Sequence, residues 1–150
     1  MARKSNRSRP RRRGPVKLKK DVAELVARER VCRVATAGPD GMPHLVPVCH
    51  VLHDGKLYFG SGNDGRKVLN VKANAHLAAT VDLYSDAWKH LRGVMLQGTA
   101  RVIEGGAEFR RIRSRLYEKY PQYADEAAIE ESDSVIVELT PTHVFTWGLE

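Results

Sequence analysis

From Tyr58 to Lys67 the chain reads Tyr-Phe-Gly-Ser-Gly-Asn-Asp-Gly-Arg-Lys. Gly60, Gly62 and Gly65 bare backbone N–H groups, Ser61 adds a hydroxyl, and Arg66 and Lys67 add two cations where a short helix is expected to begin. Cations in a first helical turn oppose the helix dipole, which favours anions at that end. The placement makes sense around an anion, with amides, hydroxyl and both cations converging on a phosphate. The plain alternative is a basic pair pointing into solvent. The same glycines also satisfy G-x-G-x-x-G, and Asp82 ends the next strand at a distance suited to a ribose contact, so a dinucleotide fold has to be weighed. Three features oppose it. The helix is only about two turns, the preceding strands look hairpin-linked, and no βα units follow Asp82.

Other residues with chemical potential are less organised. The histidines are His44, His50, His53, His76, His90 and His143; only His50 and His53 are close, and three apart is not the spacing of one strand face. With Cys49 they offer a conceivable metal set, but barrel-lining or surface roles suit them better, and no metal site is expected. Gly60-Ser61-Gly62 is not a nucleophile elbow. Arg110, Arg111, Arg113, Arg115 and Lys119 form a basic helical run, read as a solvated face beside Glu104, Glu108 and Glu118. Trp88 suits either ring stacking or core packing.

The positioning elements follow from pattern. Asp21 is expected to cap a short helix to Arg30 with Val22, Leu25 and Val26 on one face. Val31–Ala37 reads as a strand and Gly38–Gly41 as a turn. His44–Leu52 is a second strand, with Pro47 marking an edge or bulge because it has no N–H for a ladder. His53-Asp54-Gly55 is a hairpin turn before the strand Lys56–Phe59. A glycine-rich loop and a helix over Arg66–Ala73 come next, then strands at His76–Leu83 and Val94–Ile103. A helix from Gly105-Gly106 to Tyr120 buries Phe109, Ile112 and Leu116, and Val135–Leu139 and Val144–Trp147 close the chain. Tight turns imply antiparallel pairing. Six or seven strands against three helices predict a mainly β protein, a mostly antiparallel barrel with peripheral helices.

Composition bounds the function. The 150 residues suit one domain with a real core, and two cysteines exclude a disulfide scaffold and a four-cysteine zinc site. No apolar run is long enough to span a membrane. The net charge of +7 is local: residues 1–20 hold ten basic and no acidic side chains, leaving a body of about −3. Residues 1–19 are therefore read as a mobile basic tail, with residues 20–150 as the folded domain. A tail of this kind suits a nucleic-acid or membrane-surface arm or, more simply, a solubilising leader. No aromatic in it is placed to stack on bases. The absence of an apolar stretch after the charges argues against a secretory signal and favours the cytoplasm.

In order and spacing these elements resemble the flavin-binding split barrel of the pyridoxamine 5'-phosphate oxidase superfamily. The resemblance rests on Pro43-His44-Leu45-Val46-Pro47-Val48, then Gly65-Arg66-Lys67 with Asn70 and Asn74, where Ala75 replaces the usual proline. Tyr84-Ser85-Asp86, Trp88, Gly98–Val102 and Lys119–Tyr123 are similar to a subgroup described as deazaflavin-dependent. The resemblance covers residues 22–148. It implies that Arg66 and Lys67, with Ser61 and Gly65, hold a cofactor phosphate. It also places the backbone of Val46, Pro47, Val48 and Cys49 along the flavin ring, with Cys49 where the family often has a basic residue. Arg92 is implied at the ring edge ahead of Gln97, and Trp147 as a cover or a packing residue. It implies a homodimer sharing two sites. The oxidase's C-terminal substrate motif is missing, which argues against pyridoxamine phosphate as substrate.

The expected function is an FMN-dependent oxidoreductase acting on a small molecule, with the flavin carrying the redox chemistry and the protein supplying position. A deazaflavin enzyme of the same fold is the first alternative, with the basic tail available to the anionic glutamyl chain of that cofactor. A non-catalytic flavin or haem module with a nucleic-acid-binding arm is the second.

Overall fold

A computed structural model describes residues 14–149. Apolar residues at every second position make β1 (Cys32–Ala37) and β5 (His76–Leu83) one-sided strands, with Cys32, Val34, Leu77, Ala79 and Val81 buried. The remaining strands are β2 (Pro43–Val48), β3 (Val51–His53), β4 (Lys56–Gly62), β6 (Arg92–Ile103) and β7 (Ser134–Trp147). They form one seven-stranded sheet in the order β2-β1-β5-β6-β7-β4-β3, and every pairing is antiparallel. Its two edges, β2 and β3, are consecutive pieces of chain. The sheet therefore curls until its ends meet, leaving a split between them, and the parallel dinucleotide fold is excluded.

Helices pack at the margins. They are α1 (Lys20–Arg28), α2 (Arg66–Ala73), α3 (Gly106–Lys119) and α4 (Tyr123–Glu126). Inside the curl, Val22, Leu25 and Val26 of α1 and Val68 and Val71 of α2 join Leu57, Phe59, Leu96 and Leu139 in the main core. A second core forms under α3 from Phe109, Ile112, Leu116 and Tyr120 against Val51, Tyr58 and Ile136. Each fully buried side chain of this size contributes about 1.5–3 kcal/mol.

Several boundaries differ from expectation for local reasons. Lys19, not Asp21, is the N-cap of α1; the Asp21 carboxylate instead accepts from the Val22 N–H at 2.8 Å. The single strand expected over His44–Leu52 breaks at Cys49–His50, where the chain leaves β1 to pair with β4. Pro47 does lie on an edge strand. The expected glycine loop is shorter, because Gly60, Ser61 and Gly62 continue β4 and pair with Ile136, Val135 and Ser134. The two closing strands are one, β7, which passes Pro141 through a register shift opposite Gln97/Gly98. The hairpin at Asp54-Gly55 has positive φ at both residues, 50° and 72°, as a type I′ turn requires.

Residues just ahead of α1 also touch the body. The Val16 N–H donates to the Pro141 carbonyl at 3.0 Å, and Leu18 is buried in the main core. Apolar side chains at Val16 and Leu18 hold this stretch to the body. The mobility and polyanion affinity expected of residues 1–13 lie outside the described residues. No helix among the described residues is long and apolar enough to cross a membrane.

Candidate functional site

The split is built by strands that part company. β3 and β4 pair only from Val51/Tyr58 to His53/Lys56. Past that point β2 turns away to β1, while β4 runs on beside β7. The outer edge of β2 and the edge of β4 beyond Tyr58 are thus the two lips of one opening, with unpaired backbone groups along β2. Val46, Pro47 and Val48 lie on one lip; Gly60, Ser61 and Gly62 lie on the other. Cys49 sits where the lips diverge, and its side chain packs against the second core.

At the end of β4 the turn Asn63–Gly65 delivers the chain into α2. The Asn63 N–H donates to the Asp133 carbonyl at 3.0 Å and the Gly65 N–H to the Gly62 carbonyl at 3.2 Å, which fixes the turn. A side chain at Gly65 would press within 3.1 Å of Ser61 Oγ, so glycine lets that hydroxyl sit against the helix start. Ser61 Oγ donates to the Gly62 carbonyl at 3.1 Å. The first N–H groups of α2, on Arg66 and Lys67, have no intrahelical acceptor. Arg66 is exposed and Lys67 half-buried. Neither forms an ion pair among the described residues. Burial holds the Lys67 ammonium below its ordinary pKa, so an anion beside it would relieve a cost already present.

The helix behind these cations is fastened. Asn70, nearly fully buried, donates from Nδ2 to Thr36 Oγ1 at 3.1 Å and ties α2 to β1. Asn74 Oδ1 accepts from the His76 N–H at 3.1 Å, and the Ala75 carbonyl accepts from the Ala100 N–H at 2.7 Å. Beside Thr36 in the β1–β2 ladder is His44, whose Nδ1 is buried without a partner among the described residues. A buried orphan acceptor or donor costs about 1–3 kcal/mol. In the sequence His44 stands among six histidines and within the Pro43–Val48 stretch, with nothing but the alternation along β2 to mark its ring as buried. That alternation sets 44, 46 and 48 on the inward face.

Arg92 and Trp147 are placed elsewhere. Gly93 and Trp147 are partners in the β6–β7 ladder, and a Cβ at Gly93 would land on the indole. Glycine there lets Trp147 lie across the strand. Gly62, at the end of β4 just ahead of α2, pairs with Ser134 at the start of β7, whereas Trp147 is the last residue of that fourteen-residue strand. One protomer therefore gathers Ser61, Gly65, Arg66 and Lys67 where β4 runs into α2 and keeps Arg92 and Trp147 apart from them. Phe145, with its ring 6.2 Å from that of Trp147, and the nearby Tyr84 and Trp88 are also exposed, Trp88 at 75%. Core packing for Trp88 is thereby excluded.

A hollow of about 1080 Å³ lies on the outward face of the sheet rather than in the split. Ala35, Ala37 and Ala78 line its floor, and Gln97, Thr99 and His143 edge it with polar groups. Gln97 therefore faces this hollow. His50 belongs to neither feature. It is fully buried, its Nε2 is 2.7 Å from the Val26 carbonyl, and burial pushes its pKa down to about 4. The Tyr120 hydroxyl accepts from the His50 N–H at 3.0 Å and is 2.7 Å from the Arg30 carbonyl, which locks the bend between β2 and β3.

A half-closed antiparallel sheet with helices at its margins defines a split-barrel protein. The sequence profile of the pyridoxamine 5'-phosphate oxidase family matches residues 18–148, and the chain belongs to that family. It is 30% identical over 123 residues to a 5a,11a-dehydrotetracycline/5a,11a-dehydrooxytetracycline reductase of Streptomyces rimosus, covering 79% of this chain and 74% of that one. The fold is shared with an F420 reductase at a TM-score of 0.67 and 23% identity, covering 85% of this chain and 98% of the other. It is shared as well with HutZ, a haem storage protein of Vibrio cholerae, at a TM-score of 0.72 and 13% identity, covering 87% and 94%. The reductase relative points toward oxidoreductase chemistry, while the fold by itself serves both redox enzymes and haem carriers.

Proposed function

We infer that the chain is a homodimeric oxidoreductase that holds a flavin nucleotide in the split and passes a hydride or electrons to a small molecule. The observation that carries this reading is the pair of uncommitted cations, Arg66 and Lys67, at the start of α2, where β4 leaves the lip of the split. Their chemistry fits a phosphate ester: two cations, two first-turn N–H groups and the Ser61 hydroxyl. His44 Nδ1 gives the same site a buried polar atom still in need of a partner. The bare backbone of Val46, Pro47, Val48 and Cys49 suits the edge of a flat heteroaromatic ring.

A bound flavin supplies the redox step itself. The chain's own part is to fix the phosphate, align the ring along β2, and leave one ring face open to substrate. No side chain is required to move a proton for this role. The separation of Arg92 and Trp147 from Lys67 within one protomer supports a dimer, because a second copy brings such a pair to each split.

A deazaflavin in the same place is the second reading, favoured by the reductase relative and by the likeness to an F420 reductase. It offers hydride transfer without reaction with oxygen. Mass spectrometry of small molecules released from the native protein tests the proposal, paired with titration by FMN and by F420. FMN or F420 released, or bound with micromolar or tighter affinity, supports an enzyme of this kind. Binding of haem with no measurable affinity for either would overturn it in favour of a carrier.

A further inference from the structure

Two cations at a helix start can meet a phosphate only if the helix beneath them is correctly turned. The buried side chains of α2 are Val68, Asn70 and Val71. The two valines press the helix onto the core, but apolar contact is non-directional and leaves rotation and height loosely set. Asn70 is different. Its Nδ2 donates to Thr36 Oγ1 at 3.1 Å, and both residues are only 4% exposed. A hydrogen bond weakens steeply off line, so this one sets the direction in which α2 faces. Lys67 stands three residues ahead of Asn70, one turn away on the same side of the helix.

The sheet is shaped to receive this amide. β1, which carries Thr36, is paired on one side with β2 and on the other with β5, so it is a firm reference for the helix. The residue that follows β1 is Gly38. A Cβ at Gly38 would fall 2.8 Å from Asn70 Oδ1, closer than a methyl carbon and an oxygen pack. Gly38 is not among the glycines with positive φ, so it is there for space rather than for conformation. Thr36 and Gly38, on one short stretch of chain, thus bracket the Asn70 amide from its nitrogen and its oxygen.

We propose that Asn70, seated between Thr36 and Gly38, is the positioning residue of the anion site, fixing the turn of α2 so that Arg66 and Lys67 meet a phosphate at the helix start. The inference rests on the phosphate reading above and adds to it how the cations are aimed. Asn70, Thr36 and Gly38 act through the helix and not on the ligand. Charge-assisted contacts need alignment as well as charge, so a small rotation of α2 costs the phosphate its partners. Contacts between a ring and the backbone of β2 do not depend on α2 and are spared.

The test compares FMN with riboflavin, which lacks the phosphate, on the full-length protein by calorimetry. Thr36→Val removes the acceptor with little change of shape, and Gly38→Ala pushes on the amide from outside the helix. In each variant the preference for FMN over riboflavin should fall roughly tenfold from the parent's value, the share of one charge-assisted contact. Riboflavin affinity itself should stay within about twofold of the parent's, because only the phosphate contacts are lost. Thr36→Ser keeps the acceptor and should keep the parental preference. A merely structural role would weaken both ligands alike. A parental preference in Thr36→Val and Gly38→Ala therefore overturns the proposal, whatever the change in stability. A parent chain with no preference for FMN overturns instead the phosphate reading beneath it.

Discussion

Two arginine-bearing regions of this protein look alike in sequence and behave oppositely in structure. Arg101, on β6, is fully engaged. It forks to Glu138 at 2.9 and 3.3 Å and to Glu108, while Tyr58 donates to the same Glu138 at 2.9 Å and Lys56 lies 3.7 Å away. Burial pushes the Glu138 carboxyl up, but the hydrogen bonds from Arg101 and Tyr58 outweigh it and hold the group ionised. Arg66 and Lys67 have no such acid. A cation satisfied within the chain serves the fold, whereas a cation the fold leaves uncommitted at a helix start is available to a ligand.

The contrast breaks most visibly at Arg101. Arg101→Ala leaves Glu138, only 4% exposed, without its main counter-charge, and should cost about 3 kcal/mol or more in urea unfolding. A loss under about 1 kcal/mol would mean the pairing is not structural.

A control on folding comes from His50. Its pKa in the native state, about 4, lies below the ordinary 6.5, so the unfolded chain takes up the proton first. Stability should be complete above pH 6.5 and fall toward pH 4, by up to about 3 kcal/mol. Urea midpoints across that range check it, and a flat profile would contradict the buried neutral imidazole. Ligand titrations above pH 7 are free of this effect.

At the uncommitted pair, Lys67→Ala should weaken FMN binding by about 1.5–3 kcal/mol while changing the free energy of urea unfolding by less than about 0.5 kcal/mol. A variant that binds normally but unfolds early would place Lys67 with Arg101, as a structural cation. Packing at the far end of β6 is tested at Gly93. Gly93→Ala pushes on an indole that is 36% exposed and can swing, and on the Asp82 Cβ at 2.9 Å, which the paired strand holds in place, so about 1–3 kcal/mol of stability should be lost.

Much of this organisation was legible before the fold. Alternation in β1 and β5, the Asp54-Gly55 turn and the Gly65-Arg66-Lys67 helix start are local features, and local physics placed them. The misplaced boundaries depended on distant partners. Whether Gly60–Gly62 is loop or strand is decided by β7, which lies more than seventy residues away, and the Cys49–His50 break by a choice between β1 and β4. Leu18 reads as part of a basic tail until the core that accepts it exists. The site was legible as a list of residues but not as a geometry. Nothing local says that Trp147 and Lys67 lie at opposite ends of a strand, or that His44 keeps an unpartnered nitrogen.

If Arg66 and Lys67 await a phosphate, calorimetry should separate FMN from riboflavin, its phosphate-free form. Two charge-assisted contacts predict that the parent protein binds riboflavin roughly 100-fold more weakly than FMN, and that this gap closes in the Arg66→Ala, Lys67→Ala double variant. Equal affinity for FMN and riboflavin in the parent protein would contradict the account.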